Sequence, residues 1–429
     1  MENGKLEPGI STGDNVKEVS RIKKIGKVIL LVIGAIFALA FLAVVIFIGY
    51  ISLHKSDISK VSDSTLLLSN EIIPQEQNAY YDFKQAMEAL YWPKDKAMAI
   101  TAMAGGLGWD QALAIEVVGK NKAALAFAYS GLQKSDFQLP ELQGDPKSSI
   151  RGDMSLPNLN NLRNLAQVQI IRSQLLLREG KMREAFDYAF DALDLGAKLQ
   201  SNHRVAMIPY LIGISIKSAG LTNIQKMLSV GQLSVEDLNN FQAKIVDYGD
   251  TKKSVQEAIR MEYWMQNNLK EQVIDNAFRD SKGAEAVPPA DGIMARFPYY
   301  YKPNQTQKLF VDHFGKLVND GAKNCDEIII GGNFKLSSGV IFTENALGKI
   351  MADTMLTSLD GLNNKRCQAD FDLYATQFMF ATQAYKVANG FYPKTSADLF
   401  PQYFEKVPVQ FNGKQLKYNS QSGAISISQ

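Results

Sequence analysis

Catalysis needs titratable, nucleophilic or metal-ligating side chains within reach of one another, and this chain is sparing with them. It has three histidines, His54, His203 and His313, and two cysteines, Cys325 and Cys367. No HExxH, phosphate-binding glycine loop, dinucleotide fingerprint or Cys/His cluster occurs. His313 follows Asp312, but neighbours along a helix do not face each other, so His203 and His313 are expected to be structural. Two thiols build neither a disulfide framework nor a four-cysteine metal site. Cys325 and Cys367 either bridge, if they face an oxidising compartment, or remain buried thiols. Glu184, Asp187 and Asp191 fall at helix-surface spacing and are expected to be solvated. A glycosidase-like carboxylate pair would need a defined separation across a cleft, which sequence spacing does not set. The reading is therefore of no catalytic, cofactor-binding or metal-binding residues and no cofactor.

Composition narrows the class further. A chain of 429 residues with 46% hydrophobic and 21% charged residues has the make-up of a folded protein, long enough for two or three units. A net charge of +2 without a basic stripe argues against a nucleic-acid partner.

The elements that must position everything else begin with residues 28–53, from Val28 to Leu53, which carry no charged side chain. As a helix they would measure roughly 39 Å, enough to cross a hydrocarbon core of about 30 Å. Arg21, Lys23, Lys24 and Lys27 precede the stretch, whereas the far flank is less basic. That bias places the N-terminus in the cytoplasm and the bulk of the chain across the membrane. The run is longer than a signal-peptide core and lacks a small-residue cleavage site, so an uncleaved anchor is expected. Gly34 and Ala38 form one small-xxx-small pair, compatible with a homo-oligomer. Residues 1–27 read as a mobile tail.

The body, 56–390, reads as helical, with sub-boundaries near 135–157 and 281–302 where proline and glycine gather. Helices are expected over 110–132 with Asp110 as N-cap, from Ser234 to about 248, over 252–278 capped by Thr251, and from Asn304 to about 319. Tyr299, Tyr300 and Tyr301 form either a recognition patch or aromatic anchors folded back on the body. Residues 159–195 carry Ser173 and Leu176, a turn at Gly180, then Ala185 and Ala192. The pattern resembles one tetratricopeptide (TPR) repeat, with Gln169, Met182 and Ala197 departing from it. In that family stacked hairpins make concave protein-binding surfaces.

Residues 391–429 change character. Asn412-Gly413 is a turn dipeptide, and 415–418 and 424–427 alternate like two strands, so a small antiparallel β-hairpin is expected. The run Asn389-Gly390-x-Tyr392-Pro393, Leu399-x-Pro401-x-Tyr403, Pro408, Leu416-x-Tyr418 is similar to an ending of pseudopilin-like envelope proteins. The Asp-Pro and the prepilin-peptidase site of that family are missing.

The expected fold is thus mainly α: an N-terminal transmembrane helix, a helical soluble domain with a TPR-like hairpin, and a C-terminal β-hairpin. The expected role is a non-enzymatic, single-pass protein of a bacterial inner membrane whose periplasmic body binds other envelope proteins or scaffolds them. An anchored hydrolase acting through carboxylates is the alternative, and an accessory component of a secretion or pilus apparatus a further one.

Overall fold

A computed structural model describes residues 12–68, 71–143, 159–200, 203–230, 233–249, 251–279, 298–328, 340, 343–356, 359, 361–400, 402–403, 416–423 and 425–427. The chain is mainly helical. Helix α1, Thr12–Leu53, is followed by α2, Tyr80–Glu88, α3, Ala97–Ala104, α4, Gln111–Lys120, and α5, Lys122–Leu132. Then come α6, Asn160–Arg178, α7, Met182–Leu199, α8, Met207–Val230, α9, Val235–Val246, and α10, Lys252–Arg279. The last are α11, Pro303–Ala322, α12, Ala346–Leu356, and α13, Leu362–Asn389.

Within α1, Leu30–Leu53 has a mean hydropathy of 3.2 and none of it is buried, so it is long and apolar enough to span a membrane. The helix begins earlier than the expected mobile tail allows. Once the apolar segment has nucleated the helix, each added residue needs only propagation. Residues 12–27 therefore continue it, while 1–11 lie outside the described residues.

Local signals placed several elements. Asp110 Oδ1 accepts from the Leu113 amide at the start of α4, and Ser234 Oγ accepts from the Asp237 amide at the start of α9. Gly180, at φ 78°, makes the link between α6 and α7 in a left-handed conformation that glycine adopts without strain. The single helix expected over 110–132 is instead two. Asn121 between them is buried, donates to the carbonyls of Tyr91 and Val117, and accepts from the Tyr91 amide at 2.8 Å. Its amide group is spent on a segment 30 residues away, and the helix breaks there.

The main core joins α2, α5, α6, α8, α10 and α11 through residues such as Phe83, Leu165, Tyr210, Ile259 and Phe314. Each such side chain, fully withdrawn from water, contributes about 1.5–3 kcal/mol before entropy is counted. Phe137, Leu139 and Leu142 enter the same core, although they fall in the loop expected over 135–157. Residues 144–158 of that loop lie outside the described residues, as do 281–297 and 329–339. A second core packs Phe186 and Phe190 of α7 against Phe241 of α9 and Phe380 of α13, with ring centroids 5.1–6.4 Å apart.

At the C-terminus, Leu416–Tyr418 pairs antiparallel with Ile425–Ile427 over three residues. A ladder that short does not support the expected β-hairpin element, because an isolated pair of strands is marginal in water. The Asn412-Gly413 turn expected ahead of it lies outside the described residues. The turn at Ser396–Leu399 does form, closed by a reciprocal capping box between Thr395 and Asp398.

Helices α7 and α8 cross backbone to backbone. A Cβ placed on Gly213 would lie 2.6 Å from the Gly196 carbonyl oxygen, and one on Gly196 would lie 2.7 Å from that of Gly213. G213A should therefore lower stability by about 1–3 kcal/mol through overpacking. G315A, on an open face of α11, should raise it by about 0.5–1 kcal/mol. Denaturant unfolding followed by circular dichroism in detergent checks both.

Candidate functional site at the end of the apolar helix

Aromatic and polar contacts gather where the chain leaves the apolar helix. Phe47 and Tyr50, one turn apart at the end of α1, place their rings edge-on to Tyr299 at centroid distances of 6.5 and 5.8 Å. Tyr299 is 1% exposed and Tyr301 5%, the latter packed with Ile274 and Met351; half-buried Tyr300 meets Tyr299 edge-on at 5.2 Å. The three tyrosines thus act as aromatic anchors, and Tyr299 and Tyr300 fix the loop before α12 through their carbonyls, which accept from the amides of Asn345 and Leu347.

Polar contacts complete a collar. Lys302, 1% exposed, donates through Nζ to the Ser56 carbonyl at 2.6 Å and to Glu344 Oε1. Its ammonium, aided by Gln305 Nε2, holds the Glu344 carboxyl below the usual carboxylate range. Asp57 accepts from the amides of Asn304 and Gln305 at 2.6 and 3.1 Å. Helix α11 is therefore capped by a carboxylate 247 residues earlier, where sequence spacing suggested its own Asn304. Asn304 instead donates to the Ile58 carbonyl. Asn345, at φ 55°, accepts through Oδ1 from the Lys302 amide and from Thr306 Oγ1. Gly348 makes room for this, since a Cβ there would overlap Thr306 Oγ1 and lie 2.5 Å from Asn345 Oδ1. Farther along, Asp63 and Leu66 are tied to α10 by Tyr263 Oη and Trp264 Nε1, both at 3.0 Å.

A second polar group lies inside the body. Asp191 and Asp194 on α7 are half-buried, not solvated as expected for Asp191. Burial, reinforced by the Asp194 and Asp187 carboxylates, pushes Asp191 up to about 7 against the pull of Lys244. Burial also raises Asp194, which accepts from Tyr248 Oη at 2.5 Å. Fully buried Lys217 donates to the Tyr248 carbonyl at 3.2 Å, and burial drives it down to about 8. Glu184 and Asp187 are exposed, as the helix spacing implied.

His203 bridges acids from two earlier segments, Nε2 standing 2.9 Å from Asp136 Oδ1 and Nδ1 3.4 Å from Glu71 Oε2. His54 sits under Tyr50, ring centroids 4.1 Å apart, with Nδ1 2.9 Å from the Tyr50 carbonyl oxygen. Among the described residues no group of three or more His, Cys, Asp and Glu is placed to hold a metal ion. Cys325 and Cys367 form a disulfide across 42 residues. Thr251 donates to Asp370 instead of capping α10. Asp57, Lys302 and Glu344 escaped the sequence reading because each acts on a partner remote in sequence.

No family model, curated protein or solved structure matches this chain.

Two expectations follow. D57A should cost about 1–2 kcal/mol and speed amide hydrogen exchange at Asn304 and Gln305, with D57N intermediate. Folded Asp191 keeps a proton that the unfolded chain releases near pH 3.9. Between that value and about 7, stability should therefore fall as pH rises. D191N should flatten this slope and stabilise the chain by on the order of 1–2 kcal/mol near pH 8, the carboxylate's partial solvation included. Unfolding curves across that pH window measure it.

Proposed function

We propose that this chain is a single-pass protein of a bacterial inner membrane, with a cytoplasmic N-terminus and a helical periplasmic body that binds other envelope proteins. The collar carries the reading. Phe47, Tyr50, Ser56, Asp57 and Ile58 are held by Tyr299, Lys302 and the start of α11, so the apolar helix joins the body without a slack tether. A body held at a fixed attitude to the membrane suits a scaffold, whose partners must meet it at a set height and angle. The basic flank of Arg21, Lys23, Lys24 and Lys27 supports the orientation. The Cys325–Cys367 disulfide supports an oxidising compartment for the body. For the interaction itself, α3 and its exit loop present Met98 and Leu107, 86% and 70% exposed. The resemblance of residues 159–195 to a TPR hairpin and of 389–418 to a pseudopilin-like ending favours the same class of partner.

A reporter fused after Gln429 should be active only outside the cytoplasm; cytoplasmic activity would reverse the orientation. Crosslinking in intact membranes and affinity purification should recover a reproducible protein partner, lost in an M98E/L107E chain of unchanged helicity. Repeated recovery of none would remove the scaffold reading.

Asp191 and Asp194 favour a second reading, the anchored hydrolase, because raised carboxyls suit acid catalysis near neutral pH. Their neighbouring places on one helix, with Tyr248 already engaging Asp194, suit it less than a pair facing each other across a cleft.

A further inference from the structure

The Cys325–Cys367 bridge is held in an unusual setting. Arg366 is 1% exposed, and its Nη2 lies 3.3 Å from both sulfurs while donating to the Lys323 carbonyl at 3.0 Å. Nη1 donates to the Gly321 carbonyl at 2.7 Å, and Nε lies 3.9 Å from Asp370 Oδ2. The guanidinium is thus fixed by the last carbonyls of α11 and aimed at the disulfide. The sulfurs are not equivalent. Cys367 is 1% exposed and packs on Phe371, whereas Cys325 is half-exposed and stands 4.0 Å from Asp370 Oδ2.

A buried cation against a sulfur stabilises its thiolate, and a stabilised thiolate is the better leaving group in thiol–disulfide exchange. We propose that Cys325–Cys367 is a reversible thiol–disulfide exchange site for an external dithiol, attacked at Cys325 and with Cys367 leaving toward Arg366. A thiolate of the dithiol attacks Cys325 Sγ; the S–S bond breaks and its electron pair goes to Cys367 Sγ as a thiolate beside the guanidinium. The second thiol of the dithiol then attacks the mixed disulfide and displaces Cys325 Sγ. Cys325 takes the proton that thiol gives up and presents its S–H to Asp370. The dithiol is oxidised to a disulfide and the bridge is reduced by the same two electrons. Asp370 opposes a thiolate at Cys325, which keeps the charge on Cys367. Only the compartment of the dithiol rests on the proposed topology; the exchange belongs to the chain itself, so a reversed topology leaves it standing.

The test uses the purified full-length chain in detergent micelles, equilibrated in graded dithiothreitol redox buffers and scored by maleimide mass shift. One reversible two-electron step with helicity retained is expected. R366M should shift the equilibrium toward the disulfide by about tenfold, the effect of one unit in thiolate stability, and R366K should recover part of it. If R366M does not fold, the reduced native chain decides by its ultraviolet thiolate absorbance. One thiolate should titrate clearly below the ordinary thiol value of about 8.5. Reduction only with loss of helicity, an unchanged equilibrium in a folded R366M, or a native thiolate titrating at or above the ordinary value would each overturn the proposal.

Discussion

A buried ammonium needs partners, and Lys302 finds its partners in the linker after the apolar helix and the loop before α12. Removing a charge from water costs several kcal/mol unless it is paired and hydrogen-bonded. The Ser56 carbonyl and Glu344 meet that need, so neither segment can leave without stranding the charge. The next residue, Pro303, opens α11, whose first free amides are taken by Asp57. One short stretch thereby ties the apolar helix, the linker, α11 and α12 into a single joint. The tyrosine run beside it fills the apolar part of that joint.

The interior follows the same logic with less margin. Lys217 reaches one backbone carbonyl, and Asp191 and Asp194 share a helix face that also holds the apolar contacts of Phe190. These groups are destabilising in their charged forms. Lys217 sits at the tight crossing of α7 and α8, its side chain packed against Gly196. Replacing that close approach by a looser one would open Lys217 to solvent as well as weaken the core.

The elements legible in the sequence were those specified locally. The apolar helix needs only its own composition, Asp110 and Ser234 each cap a helix three residues on, and Gly180 relieves its own backbone. What escaped was decided at a distance. Asn304 has every local mark of an N-cap, but Asp57 holds the position because the chain entry brings a carboxylate there. Asn121 looks like an ordinary helix residue until the Tyr91 amide and carbonyl both meet its side chain. Asp191 has surface spacing along α7, and only the packing of α9 over it removes its water. The tyrosine run was readable as aromatic anchoring, but not that its contact would be the span itself.

Helix α1 is continuous from Thr12 to Leu53. At 1.5 Å per residue that is a rod of about 63 Å, roughly twice the thickness of a hydrocarbon core. The apolar stretch from Val28 to Leu53 takes about 39 Å of it, so the charged residues 12–27 extend the rod by roughly 24 Å on the side away from the body. Because the collar removes play at the other end, a twist or tilt imposed on that charged stub would reach α11 as the same twist or tilt. The apolar helix and the body it enters thus move as one piece.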